Sequence, residues 1–88
     1  MKNLTRPQYH RIRHILAMIR EGAAADEYPN ARDFGAALGV SRPTVMRDLA
    51  LLRDDMGAPI DYVGALHGYR LATETWRLPP IDLSVLRE

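Results

Sequence analysis

One stretch decides the fold: Phe34-Gly35-Ala36-Ala37-Leu38-Gly39-Val40-Ser41-Arg42-Pro43-Thr44-Val45-Met46-Arg47-Asp48-Leu49. It predicts two helices joined by a tight turn. Asn30 can cap the first helix, and Gly39 can end it because glycine adopts the positive φ that a helix end requires. Ser41 can cap the second helix by accepting a bond from a free backbone N–H. Pro43 is tolerated in the first turn, where N–H groups have no partner within the helix.

The second helix, over about residues 42–56, carries one continuous apolar stripe at helical spacing. The stripe, which we expect to be buried, consists of Val45, Leu49, Leu52 and Met56. In the first helix, Gly35 costs up to ~1 kcal/mol relative to alanine, so we expect the second helix to cross it at close range. Two helices in this relation are typical of a helix-turn-helix, whose second helix enters a DNA major groove.

Length and composition restrict the class of protein. A chain of 88 residues with 47% hydrophobic residues makes one small domain. The lack of cysteine excludes disulfides and thiolate metal sites and suits the cytoplasm. No apolar run approaches the roughly 20 residues of a membrane span, and the start lacks a signal-peptide core. We therefore expect a cytoplasmic protein with no membrane partner.

Charge is informative through its type and distribution rather than its total. The formal net charge is only +1, but all but one of the 12 basic residues are arginine. Arginine is the side chain best shaped for bidentate contacts with phosphate and guanine. A high-GC genome would also favour arginine, so composition alone carries little weight.

A capping box, Thr5-Arg6-Pro7-Gln8, predicts an N-terminal helix. This helix is expected to run to about Glu21 and to end at Gly22. Its core face should be formed by apolar residues at i, i+3, i+4 and i+7, which are Ile12, Ile15, Leu16 and Ile19.

Arginines on another face of this helix allow two interpretations. Arg6, Arg13 and Arg20 lie seven residues apart and form a basic stripe. Such a stripe either contacts phosphates or is solvated surface, and we retain Arg6 and Arg13 as candidate DNA contacts. His10 and His14 have the i, i+4 spacing of a metal pair but no third ligand, so we interpret them as surface residues. We predict no metal and no cofactor.

Two extended segments follow the helix-turn-helix. Gly57 should end the long helix, and residues 60–63 and 69–72 then alternate between core and surface types. The five residues from Gly64 to Gly68 have glycines at both ends, as hairpin loops of this length often do. A two-stranded hairpin is not stable alone and must pack on the helices. The predicted fold is therefore mainly α with a small β-hairpin, a winged helix-turn-helix of three helices plus a two-stranded wing.

The sequence also predicts the segments that connect and follow these elements. Residues 22–30 form a loop in which Tyr28 should fold back as a core anchor, and Trp76 should plug the core. The winged helix-turn-helix domain is predicted over residues 1–78. Residues 79–88 are predicted to be a linker and the capped start of a further helix.

Five segments carry a resemblance to a known family. They are Tyr28-Pro29-Asn30-Ala31-Arg32, Val40-Ser41-Arg42-Pro43-Thr44-Val45-Met46-Arg47-Asp48-Leu49, Ala58-Pro59-Ile60-Asp61-Tyr62, Gly68-Tyr69-Arg70-Leu71 and Leu78-Pro79. In this order, from about residue 9 to 86, the chain resembles the N-terminal DNA-binding domain of bacterial WYL-domain transcriptional regulators. It resembles DeoR-type winged helices more loosely. The block from Ser41 to Asp48 and the Gly68-Tyr69 pair are the specific parts.

The resemblance implies which residues read DNA. The family's groove-reading region falls on Ser41, Arg42, Pro43, Thr44 and Arg47, and its aspartate falls on Asp48, which is implied to brace a nearby arginine. Many relatives have basic residues in the wing, whereas this tip is Ala65-Leu66-His67. His67 is the candidate contact there. Pro43 stands where relatives often have a side chain that can hydrogen-bond.

The resemblance also implies a larger protein. A ligand-sensing WYL domain would follow this one, with an effector that the sequence does not identify, and the full-length protein is expected to be a homodimer. One winged-helix module buries too little DNA surface for strong specificity, which supports a dimer.

Helical geometry independently supports this set of residues. With Val45 at the centre of the buried stripe, Pro43, Thr44, Arg47 and Ala50 point away from the core. The leading function is sequence-specific binding of double-stranded DNA in a bacterial transcriptional regulator. The alternative is a winged-helix module for protein–protein contacts without DNA readout. An enzyme is not expected, because no nucleophile with a suitable base and no phosphate-binding glycine loop is present.

Overall fold

The computed structural model describes residues 4–88. Three helices are followed by a two-stranded antiparallel hairpin, the wing: α1 is Arg6–Ala24, α2 is Ala31–Leu38, α3 is Arg42–Ala50, β1 is Ile60–Val63 and β2 is Gly68–Leu71. This is the predicted winged helix-turn-helix. Within residues 4–88, no helix combines the length and apolarity needed to cross a membrane. Residues 1–3 of the predicted domain lie outside the described part of the chain.

The first helix begins as predicted and ends later. Its capping box is complete: the Gln8 N–H donates to Thr5 Oγ1 and the Thr5 N–H donates to Gln8 Oε1, both at 3.1 Å. The predicted stop at Gly22 is wrong, since the helix continues to Ala24 and the chain reverses at Asp26, whose φ is 56°. Gly22 instead leaves room for the carbonyl of Glu27 where the chain folds back. The four predicted core residues of α1 are all buried.

The helix-turn-helix has the predicted caps. The Asp33 N–H donates to Asn30 Oδ1 at 2.9 Å, and Gly39 adopts the left-handed conformation with φ 67°. Ser41 Oγ accepts from the Thr44 N–H at 3.4 Å. The predicted buried stripe is confirmed, because the side chains that fill the core from α3 and its extension are Val45, Leu49, Leu52 and Met56.

The recognition helix is not one uniform α-helix to residue 56. After Ala50 the chain continues as one wider π-helical turn, Leu51–Asp55. The Met56 N–H donates to Leu51 O, five residues back, at 3.2 Å, and the Ala58 N–H donates to Leu52 O at 2.9 Å. The wider turn brings Met56 and Ala58 onto the core, where both are buried.

The reason for Gly35 differs from the prediction. A β-carbon at Gly35 would lie 3.0 Å from the carbonyl oxygen of Val40 and 3.8 Å from Cγ2 of Val45. The contact with Val45 of α3 is ordinary van der Waals contact, so the close neighbour is the backbone of the turn. Gly35 therefore accommodates the tight turn between the helices more than the crossing of α3.

The wing is fixed to the helical layer at its second strand. Ile60 pairs with Leu71 and Val63 with Gly68. The Tyr69 N–H donates to Pro29 O at 2.8 Å, and Gly68 lies directly against the carbonyl of Tyr28.

The aromatic residue that anchors the wing in the core is Tyr69. This residue is 8% exposed, and its ring centroid lies 6.0 Å from that of Phe34. The prediction that Tyr28 is a core anchor is wrong: its hydroxyl donates to Asp26 Oδ1 at the surface (3.2 Å). This hydrogen bond to Asp26 raises the pKa of Tyr28. Trp76, which was predicted to plug the core, is half-buried and packs against the core.

The last residues return to the start of α1. Asp82 caps a single 3₁₀ turn, Leu83–Val85, where the sequence predicted the start of an α-helix. The Arg87 N–H then donates to Leu4 O at 3.0 Å and Leu86 is buried. These bonds hold residues 86–87 beside the N-terminus of α1. That residues 79–88 lead to a further domain remains a prediction.

Candidate nucleic-acid interface

The predicted reading residues lie on the outward face of α3 and at its N-cap. Ser41, Arg42, Pro43 and Arg47 are exposed, and Thr44 is half-buried. The opposite face of the helix is buried, since it holds Val45, Asp48 and Leu49. The structure therefore places the five predicted groove-reading residues together on one surface.

Three of these side chains are connected by hydrogen bonds. The hydroxyl oxygens of Ser41 and Thr44 lie 3.2 Å apart, and Arg47 Nη2 donates to Thr44 Oγ1 at 3.2 Å. Thr44 thus holds the Arg47 guanidinium along the helix surface by one of its five N–H groups. The remaining donors of this exposed side chain can pair with a base edge or a phosphate.

A buried ion pair orients α3 on α1. Asp48 is 1% exposed, and its Oδ2 and Oδ1 accept from Nε and Nη2 of Arg11 at 2.6 and 3.2 Å. The hydrogen bond to Asp48 raises the pKa of Arg11, against the opposing effect of burial. Asp48 therefore braces an arginine, as the resemblance implied. Its carboxylate points inward and adds no negative charge to the outward face of α3.

The arginine stripe of α1 (Arg6, Arg13 and Arg20) contacts residues outside α3. Arg6 pairs with Glu88 at 3.1 Å, and Arg20 donates to Trp76 O at 2.6 Å. Arg13 lies over the ring of Tyr9, 5.7 Å from its centroid. α1 contacts α3 through Arg11. Arg13 follows Arg11 by two residues, so its side chain points to nearly the opposite side of α1. Arg13 therefore points away from the side of α1 that meets α3, Arg6 is paired with Glu88, and the contact of either with DNA remains a prediction.

The tip of the wing is exposed and weakly charged. His67 ends a 3₁₀ turn, Gly64–Leu66, in the left-handed conformation with φ 55°. Leu66 beside it is 43% exposed. Arg70 is paired with Asp61 across the two strands at 3.2 Å. The wing thus offers His67 but no unpaired arginine to a partner.

Sequence reasoning missed a cleft between the helix-turn-helix and the wing. It has a volume of about 490 Å³ and is lined by Asn30, Ala31, Arg32, Arg42, Tyr62 and Tyr69. Met46 borders it, since its sulfur lies 4.0 Å from the hydroxyl of Tyr69. Arg32 and Tyr62 fall within the segments that carry the family resemblance, but only the packing of the wing on α2 shows that they meet.

Two further searches of the described chain, for a metal-binding cluster and for similar known proteins, find nothing. Residues 4–88 contain no group of three or more His, Cys, Asp and Glu side chains that could hold a metal ion. Comparison with protein-family models, curated proteins and solved structures finds no match.

Proposed function

We propose that the chain binds double-stranded DNA sequence-specifically, as the DNA-binding domain of a bacterial transcriptional regulator. The outward face of α3 lies in the major groove, with the N-terminus of the helix towards the duplex, and Arg42 and Arg47 face the bases and phosphates. The observation that carries the proposal is this face of α3: it is exposed, it holds two arginines, and its one acid, Asp48, is turned into the core.

The distribution of charge along the helix supports the same orientation. Asp54 and Asp55 are exposed at the far end, beyond α3. An approach by the N-terminal end keeps these carboxylates away from the phosphates, whereas an approach by the other end would place them against the DNA. The positive end of the helix dipole also faces the duplex in this orientation.

The rest of the proposal extends beyond the described residues. A WYL-type sensor domain follows in the full-length protein, which acts in the cytoplasm as a homodimer on two half-sites. The effector of that domain is unspecified. Dimerisation would supply the interface area that one module of this size lacks.

Selection from a randomised duplex pool tests the proposal. We expect repeated rounds of binding and amplification to enrich one short motif. The same selection with Arg47→Ala should yield a motif that has lost preference at one position. If no motif is enriched although the protein is folded, sequence-specific recognition by this chain is excluded. The alternative protein-interaction module would then gain support.

A further inference from the structure

Two arginines in the described part of the chain differ from the others in having no side-chain partner. The side chains of Arg32 and Arg42 make no hydrogen bond, ion pair or ring contact with any described residue. Each of the other arginines in residues 4–88 has such an interaction, as Arg47 has with Thr44 and Arg53 with Asp54. Both unpaired side chains line the same cleft, although they lie on different helices.

Aromatic residues form the wing side of this cleft. Tyr62 and Tyr69 face each other across the two strands, with ring centroids 5.1 Å apart. Tyr69 is buried and its hydroxyl is directed to the sulfur of Met46, whereas Tyr62 is 53% exposed. The Tyr62 hydroxyl has no hydrogen-bond partner among the described residues. Two guanidinium groups and one free phenolic donor therefore surround a single space.

The electrostatics of the cleft favour an anion. None of its lining residues is acidic. The carboxylate of Asp33, which follows Arg32 in α2, accepts from the Asn30 N–H at 2.8 Å and lines a different cavity with Glu21 and Glu27. On the wing, Asp61 is paired with Arg70. The positive charges of Arg32 and Arg42 are thus not neutralised from any side of the cleft.

We propose that this cleft between α2, α3 and the wing binds a phosphodiester group of the DNA backbone, with Arg32, Arg42 and Tyr62 as its donors. This inference rests on the proposed function and adds Arg32 and Tyr62 to its contacts. A tetrahedral oxyanion matches the planar guanidinium fork and accepts a hydroxyl hydrogen bond in addition. The phosphodiester lies beside the groove that α3 enters and fixes the orientation of the protein on the duplex.

A backbone phosphate is favoured over a free phosphorylated ligand for two reasons. The cleft is open and its arginines are exposed, so a small anion has to displace water with little burial to compensate. A phosphate in DNA is already held nearby by the contacts of α3, which raises its effective concentration.

Salt titrations of DNA binding test the cleft. We expect Arg32→Ala to weaken binding by a similar factor on every duplex and to reduce the slope of log K against log salt by about 1. Tyr62→Phe should weaken binding without a comparable change in slope, because it removes a donor but no charge. Arg53→Ala is the matched control: it also removes one exposed arginine, at the far end of the recognition helix, and should leave the slope unchanged.

The outcomes separate this inference from the proposed function. Wild-type slope and affinity in Arg32→Ala, with normal binding by the unaltered chain, would overturn the cleft assignment alone. Failure of the unaltered chain to bind any duplex would overturn both. A further arm titrates inorganic phosphate and follows the Nε–H resonances of Arg32 and Arg42. Saturation at micromolar phosphate would show a site for a free ligand and overturn the assignment to DNA.

Discussion

At the scale of single residues, Arg47 is the side chain most directly tied to sequence readout. It projects from the outward face of α3 and is held by Thr44. Arg47→Ala should cost ~1–3 kcal/mol of binding free energy and relax preference at one position, if the arginine pairs with a base. Binding to the selected site and to single-base variants measures both effects. A loss that is equal on all sequences would make Arg47 a phosphate contact, and no loss would exclude this docking orientation.

Asp48 acts on stability rather than on contact with DNA. Asp48→Ala leaves the Arg11 charge without its partner in a largely buried position. We expect a loss of about 3 kcal/mol in unfolding free energy, near the lower end for a broken buried pair, because the Arg11 side chain keeps 21% exposure. The control is the double variant Arg11→Met, Asp48→Leu, which should recover most of this loss in a denaturant titration. If Asp48→Ala is as stable as wild type, the ion pair does not hold α3 on α1.

The sequence predicts the helix caps correctly, because each cap depends on a side chain and a backbone group only a few residues apart. The caps at Thr5, Asn30 and Ser41 depend on side chains a few positions from the backbone they bond, so spacing alone revealed them. The sequence predicts Tyr28 in the core because aromatic side chains favour burial, but Tyr69 is the tyrosine that is buried. Which of two tyrosines is buried depends on how the wing meets the helices, and sequence spacing holds no information on that contact.

At the scale of elements, the contact of β2 with the loop between α1 and α2 fixes the position of the wing on the helices. Gly68 lies so close to the carbonyl of Tyr28 that a β-carbon cannot fit without a backbone shift. We therefore expect Gly68→Ala to lower the free energy of unfolding by ~1–3 kcal/mol, the usual cost of overpacking. It should also weaken DNA binding, because the wing side of the cleft moves with β2.

Gly64 provides the matched control in the same hairpin. No atom lies within 4 Å of a β-carbon built there. Gly64→Ala should therefore leave both the melting temperature and DNA affinity close to wild type. Equal melting temperatures for the two variants would contradict the close approach of β2 to the loop.

The boundaries of elements were less predictable than their existence. Gly22 does not end α1, because this glycine makes room for the backbone carbonyl of Glu27 where the chain reverses. The turn after Ala50 is π-helical because Met56 and Ala58 both reach the core. In both places the path of the chain after the helix changes the boundary, and the spacing of apolar residues within a helix carries no information about that path.

At the scale of the whole molecule, the fold follows from the order of the predicted elements, whereas the candidate DNA surface is only partly readable from the sequence. The family resemblance supplied the reading residues of α3 and its cap, and the angular spacing of one helix independently supported Pro43, Thr44 and Arg47. Arg32, Arg42 and Tyr62 come from α2, α3 and the wing, and only the assembled layers bring them to one cleft. Conversely, Arg6 and Arg13 share a helix face in sequence, but in the structure they contact Glu88 and Tyr9 rather than any residue of α3.

The salt dependence of duplex binding tests the central claim most directly. Fluorescence anisotropy of a labelled random-sequence duplex, with the unaltered chain at increasing salt, gives the slope of log K against log salt. We predict binding at low salt and a linear slope near −3, about 0.9 for each of three to four phosphate contacts. Binding that does not change between low and moderate salt, or no binding at low salt, would contradict the assignment of this winged helix to DNA.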